Sequence, residues 1–190
     1  MYFHEMLAYP DVCYDHQQVV HNMRMGIEKD SPTFPIQVAT LKGFGRNRIF
    51  AKEQAILDLL VEEKNAGRGV GLYINNTGDG YNLQSRYTEL IQKELGYDVY
   101  ALTRAVSTSK REKVLLGKKV HVLTTNPILV QTGLDLLDFP TLVFIQTPFN
   151  YYVMAQAGGR HWRANQDKAC KTYYPYYNDT FQSKGVKLMA

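Results

Sequence analysis

Cysteine is scarce in this chain: its 190 residues hold only Cys13 and Cys170. Two thiols that far apart make no disulfide framework, so both are expected to be reduced. Long apolar runs are missing as well. None approaches the ~20 residues that span a bilayer, and the start Met1-Tyr-Phe-His-Glu-Met lacks a basic stretch followed by an apolar one. The expectation is a soluble, cytoplasmic chain with no membrane partner. Phosphate-binding signatures are absent too. Nowhere does Gly-x-x-x-x-Gly-Lys-Ser/Thr occur, nor Asp-Glu-x-His or Asp-Glu-x-Asp, and Gly43-Phe-Gly-Arg-Asn-Arg is no substitute. Such a chain cannot cradle and hydrolyse ATP alone. No Gly-x-Gly-x-x-Gly opens a helix, which weighs against a Rossmann-like nucleotide transferase.

What is present is enough for a folded domain. With 45% hydrophobic and 21% charged residues the chain can bury a core, and its length suits one domain or one and a half. The net charge of +4 is unevenly spread: residues 1–66 carry 7 Lys and Arg against 9 Asp and Glu, whereas residues 67–190 carry 15 against 9. A basic surplus in the second part is compatible with a polyanionic partner.

Residues 1–49 are broken by Pro10, Pro32, Pro35, Gly26, Gly43, Gly45 and a Lys29-Asp30-Ser31 turn signal, with no sustained period. A connector, or part of a preceding segment, is expected there. His4, Cys13, His16 and His21 raise the question of zinc, which needs four converging ligands. Only Cys13-x-x-His16 makes a close pair and no second cysteine lies nearby, so ordinary polar packing and no metal are expected. From residue 50 the pattern turns regular. Ile56, Leu59 and Leu60 form the apolar stripe of a helix, with Glu53 and Glu63 off it and Gly67 beyond its end. Strands are expected at 70–74, 98–102, 120–124, 141–145 and 169–174, with helices at 81–95 and 107–116 and another beginning near Asn150. Strands alternating with helices mean βαβ units: an α/β chain with a mostly parallel sheet covered by helices on both faces. Residues 178–190 read as a fraying tail.

The stretch Gln156-Ala-Gly-Gly-Arg160-His-Trp-Arg163-Ala-Asn-Gln166 sets two guanidinium groups three residues apart, on one side of a helix if the segment is helical. The glycine pair before them clears space for a close neighbour. Permanent charge and a planar fork of donors suit arginine to phosphate. Two surface arginines on a solvated helix would give the same string, so the surroundings decide. In an open parallel sheet, ligands sit at the carboxyl ends of the strands. Asn75, Asn76, Thr103, Arg104, Thr124, Thr125 and Asn126 all follow expected strand ends, and such a row can hold a phosphate backbone without reading bases. Asn and Thr after strands are also ordinary turn formers and caps.

Residues 50–177 resemble the second, C-terminal RecA-like (P-loop NTPase-like) domain of superfamily 2 helicases, and most closely the Swi2/Snf2-like DNA translocases. The region 70–87 is similar to that around motif IV. Thr124-Thr-Asn-Pro-Ile-Leu-Val-Gln-Thr-Gly-Leu-Asp-Leu136 resembles motif V, with a Gly-x-Asp core. The arginine stretch resembles motif VI, Gln-x-x-Gly-Arg-x-x-Arg, and Gln166 fits the Snf2-like variant. Asp135 stands where Snf2-like proteins usually carry Asn. The resemblance implies that ATP and Mg are held mainly by a first RecA-like domain preceding this one. Arg160 and Arg163 would then be arginine fingers, with Gln156 orienting the nucleotide or its attacking water. By the same likeness Gly133 and Asp135 would lie against ATP, Asp135 at the ribose. Thr124 and Thr125 would contact the nucleic-acid track, duplex DNA rather than RNA, with Asn75, Asn76, Thr103, Arg104 and Arg111 as further candidates. The chain would be half a motor, inactive alone. Two other readings stay open: an RNA helicase domain, against which stands Gln156-Ala157 where the DEAD-box form begins His-Arg, and a non-catalytic helicase-like module that docks DNA or protein.

Overall fold

The computed structural model describes residues 2–14, 18–22, 36–41, 43–78, 82–116, 120–130, 133–147 and 150–189. The chain divides into two units, Met1–Phe50 and Ala51–Ala190. In the first, α1 (Tyr2–Val12) is followed by β1 (Gln18–Asn22) and β2 (Ile36–Leu41), paired antiparallel. Ala8, Val12, Cys13 and Tyr14 are buried, and the Phe44 N–H donates to the Cys13 carbonyl at 2.8 Å. This segment, expected to be a connector, thus carries its own helix and hairpin. Its helix contains Pro10, a signal that reads as a break. The turn signal at 29–31 lies outside the described residues. So do His16 and the side chains of His4 and His21, and Cys13 is buried.

The second unit is α/β, as the alternating pattern implies. Its sheet has the order β4-β5-β3-β6-β7, and every pairing is parallel. The strands are β3 (Val70–Tyr73), β4 (Val99–Leu102), β5 (Val122–Thr125), β6 (Thr141–Phe144) and β7 (Lys171–Tyr173). Their register places Gly71, Tyr73, Leu123, Leu142 and Phe144 on one face. There they join Leu134, Leu136, Phe139, Met154 and Ala157 in one apolar cluster. Each fully buried Leu or Phe of that kind stabilises the fold by ~1.5–3 kcal/mol. A Cβ on Gly71 would come within 2.7 Å of Leu142 Cδ2, so the tip of that side chain would have to shift.

The opposite face meets α2 (Ala51–Asn65) and α3 (Leu83–Leu95). Helix α3 starts where the Asn82 side chain accepts from the Ser85 N–H and ends at Gly96, whose φ of 64° is left-handed. Gln84 of α3 is buried and donates to the carbonyls of Leu102 and Thr124, tying α3 to two neighbouring strands. Glu53 and Glu63, expected on the solvent side of α2, are instead buried. Glu53 is gripped by Arg86 through two contacts of 2.9 Å. Glu63 receives Arg68, Thr141 and Lys171. Charged partners on other elements overrode the apolar-stripe rule.

After β6 the chain forms α6 (Tyr151–Gly158), which begins near Asn150 as expected and is capped by the Asn150 side chain, accepting from the Val153 N–H at 3.2 Å. Within the stretch expected to be a fraying tail, α7 (Phe181–Met189) is a helix in which Ser183 and Gly185 are buried. Gln182 accepts from the buried Lys52 ammonium, and Met189 packs on the apolar cluster. Among the described residues no helix is long and apolar enough to cross a membrane.

Candidate functional site

Helix α6 leaves the carboxyl rim of the sheet, runs back across it, and stops one residue before the arginines. The Gly159 N–H donates to the Ala155 and Ala157 carbonyls, and the chain then turns. Arg160 and Arg163 therefore sit on the α6–β7 loop, not on one side of a helix. Because that loop delivers the chain to the start of β7, the pair lies at the amino rim, opposite the strand ends where ligands were expected.

A second loop meets it there. Residues 133–139 connect the short α5 (Pro127–Val130) to β6. The Leu136 N–H donates to the Arg160 carbonyl at 3.0 Å. Gln166 Nε2 donates to the Leu137 and His161 carbonyls, both at 3.0 Å, and its Oε1 accepts from the Lys168 N–H. Arg163 Nε lies 3.1 Å from Asp135 Oδ1, with side chains 44% and 57% exposed. Asp135 and Arg163 thus share one surface although 28 residues separate them, and the Arg160 backbone is bonded to the same loop. Gly133 has φ 69°, a left-handed backbone, and nothing lies within 4 Å of where its Cβ would be. A further contact fixes loop 133–139 from below: a Cβ on Gly69 would come within 2.2 Å of the Asp138 carbonyl, so that approach demands glycine.

Electrostatics differ between the two arginines. Arg163 is open to solvent, so its bond to Asp135 is worth little and a stronger anion can displace it. Arg160 is half-buried and close to Tyr73. Burial drives the Tyr73 phenol far above its ordinary value, with the Arg160 charge opposing, and its hydroxyl donates to the Ala157 carbonyl at 2.9 Å. Gln156 is half-buried in the last turns of α6. His161 is buried, and burial pushes its pKa down, so the imidazole is neutral at pH 7. Among the described residues no group of three or more His, Cys, Asp or Glu is placed to hold a metal ion.

The row after the strand ends is present but mostly spoken for. The registers of β3, β4 and β5 bring Tyr73, Leu102 and Thr125 level, so the residues beyond these strand ends share the carboxyl rim. Thr124 and Thr125 are fully buried within β5. Their hydroxyls face Gln84 Nε2 and the Asn126 carbonyl, which removes both from any contact with an outside strand. Arg111 is also committed, donating to the Val106 and Leu129 carbonyls at 3.1 and 2.9 Å. Asn75 and Asn76 give their N–H groups to Gln146 Oε1, and the Asn75 amide donates to the Gln146 carbonyl. Asn126 donates to the Asn75 carbonyl and accepts from the Ile128 N–H. Thr103 and Arg104 remain exposed. Gln146 and Gln84, which knit this rim together, gave no signal in the sequence because each works through backbone groups distant along the chain, N–H groups for Gln146 and carbonyls for Gln84.

No protein-family model matches the chain, and no curated protein matches it. Among solved structures it is similar to the C-terminal part of the Fun30 ATPase domain, with TM-score 0.64 and 18% identity. The match takes in 73% of this chain but only 45% of that one, so the chain spans less than half the length of its structural neighbour. The RecA-like fold expected from the motifs is therefore the fold of this chain.

Proposed function

We propose that the chain is the second motor lobe of an ATP-dependent superfamily 2 helicase or DNA translocase. It supplies Arg160 and Arg163 to the phosphates of ATP held on a preceding RecA-like lobe. The observation that carries this reading is the stitching of loop 133–139 to loop 159–166, which sets Asp135 against Arg163 on an exposed surface and bonds the Arg160 carbonyl to the same loop. A paired arginine next to a side-chain-free backbone is a fit for phosphate oxygens. The likeness to part of an ATPase domain supports the same conclusion.

In this role Arg163 exchanges its solvent-exposed Asp135 partner for the transferring phosphoryl group, and the half-buried Arg160 approaches from beside Tyr73. Positive charge placed where negative charge develops is worth ~10³–10⁵ in rate in hydrolases that use it. Gln156, in the last turns of α6, orients the nucleotide or its water; Asp135, once released, is free for the ribose. Mg, when bound, neutralises phosphate charge, and its ligands belong mainly to the preceding lobe. Nucleic acid lies against the other rim, at Thr103 and Arg104, with Asn75 and Asn76 nearby. That separation lets one lobe touch nucleotide and track at once. Duplex DNA is favoured over RNA because Gln156-Ala157 opens the arginine segment.

The pure chain tests the division of labour. It is expected to show no ATP turnover with or without DNA, yet to bind duplex DNA with an affinity that drops on Arg104→Ala. DNA-stimulated turnover abolished by Arg163→Ala would overturn the proposal.

A further inference from the structure

Trp162 is the only tryptophan of the chain and it is 78% exposed. It stands between the two arginines, on the wall of an open groove of about 700 Å³ that Gly158, Gly159, His161, Arg163 and Lys168 also line. An indole left in water forgoes a large apolar burial, and on the wall of a groove beside charged groups it offers a flat face to a ligand. The glycine pair gives an independent sign. Gly159 has an ordinary φ of −77° and Gly158 is helical, so backbone conformation requires neither to be glycine. Internal packing does not require it either: a Cβ on Gly158 would meet the Phe144 ring at 4.0 Å, and one on Gly159 the Ala155 carbonyl at 3.4 Å, both ordinary contacts. What two methyl groups would obstruct is the groove itself, and hence something that enters it from outside.

We infer that this groove is a nucleobase site, in which the Trp162 indole stacks on the base of the nucleotide whose phosphates meet Arg160 and Arg163. The inference rests on the arginine reading above and adds the base to it. A flat aromatic face next to a guanidinium suits a ligand that joins a planar ring to an anionic group, and a nucleotide does so. Arg163 is the cation best placed to meet it, since Lys168 gives its ammonium to the Gly67 carbonyl at 2.7 Å. A nucleic-acid chain has the same chemistry, but the rim-facing Thr103 and Arg104 put the track on the opposite side of the sheet. The free nucleotide is therefore the occupant.

Because Trp162 is the sole indole, its emission reports the site without labelling. The chain is titrated with Mg-ATP, with Mg-tripolyphosphate and with a thymidine oligonucleotide, exciting at the red edge where adenine does not absorb. Mg-ATP is expected to quench the emission saturably. Tripolyphosphate is expected to compete ATP away while leaving the emission unchanged. Trp162→Ala is expected to weaken ATP binding about 5-fold in equilibrium dialysis, with tripolyphosphate affinity and melting temperature unchanged and Trp162→Phe restoring part of the loss. Equal quenching by ATP and tripolyphosphate, an ATP affinity untouched by Trp162→Ala, or no ATP binding at all would overturn the base site. So would oligonucleotide quenching that ATP does not reverse. The arginine reading fails separately, if Arg163→Ala leaves the affinity for both phosphates unchanged.

Discussion

Glu53 and Arg86 meet as a two-pronged buried pair between α2 and α3, both contacts at 2.9 Å, with side chains 5% and 7% exposed. Removing one partner strands a charge away from water, which costs ~3–5 kcal/mol, whereas removing both for apolar groups of similar size is often neutral. Arg86→Leu is thus expected to destabilise the chain by about that amount in thermal or urea unfolding, and Glu53→Leu added to it to recover most of the loss. Two single-site losses that simply add would contradict this. The same pair explains a limit of the sequence. Periodicity sorts residues by type, so it reads Glu53 as solvent-facing; the guanidinium of Arg86, 33 residues on, helps to make the buried carboxylate tolerable. Arg163 and Asp135 were each singled out by the resemblance to helicase motifs, yet their bond to each other gave no signal in the sequence.

At the scale of elements, the strands and most helices of the second unit were readable to within two residues, because alternation of buried strand and amphipathic helix is strong. What failed were ends and connections. The Gly158-Gly159 step closes α6 before the arginines, so their loop belongs to the amino rim. α7 is only nine residues long and reads as part of a tail, although Lys52 and Met189 anchor it. The amino-rim site depends on how closely loop 133–139 lies against β3. That approach passes through Gly69, where a Cβ would meet the Asp138 carbonyl at 2.2 Å. Gly69→Ala forces backbone to move and is expected to destabilise by ~1–3 kcal/mol, with faster amide exchange at Leu136, whose N–H is bonded to the Arg160 carbonyl. A wild-type melting temperature with unchanged exchange at Leu136 would show that the loop is held by other means.

For the whole molecule, acid is the sharpest probe of how the second unit is tied together. Burial alone would raise the Glu63 carboxyl, but the Lys171 ammonium, the Thr141 hydroxyl and the Arg68 guanidinium hold it below its ordinary value. A lowered carboxylate contributes stability above the ordinary pKa and loses it as pH falls through the folded value. His161 and His121 are also lowered, chiefly by burial, so the unfolded chain binds their protons first and stability falls with pH there too. Two steps of destabilisation are expected on acidification: one below ~6.5, the ordinary histidine value, and one below ~4, where carboxylates protonate. The melting temperature as a function of pH checks this, and His161→Gln is expected to flatten the first step only. Arg68 also donates to the Ala169 carbonyl, so the lower transition loosens the loop bearing the arginines.

The most direct measurement of the proposed role is single-turnover ATP hydrolysis by a protein that joins this lobe to its P-loop partner, comparing wild type with Arg160→Ala and Arg163→Ala. The expected result is a loss of ~10³-fold or more in the hydrolysis rate for each variant, with ATP still bound. Rates within twofold of wild type would contradict the assignment of the arginines to the transferring phosphate.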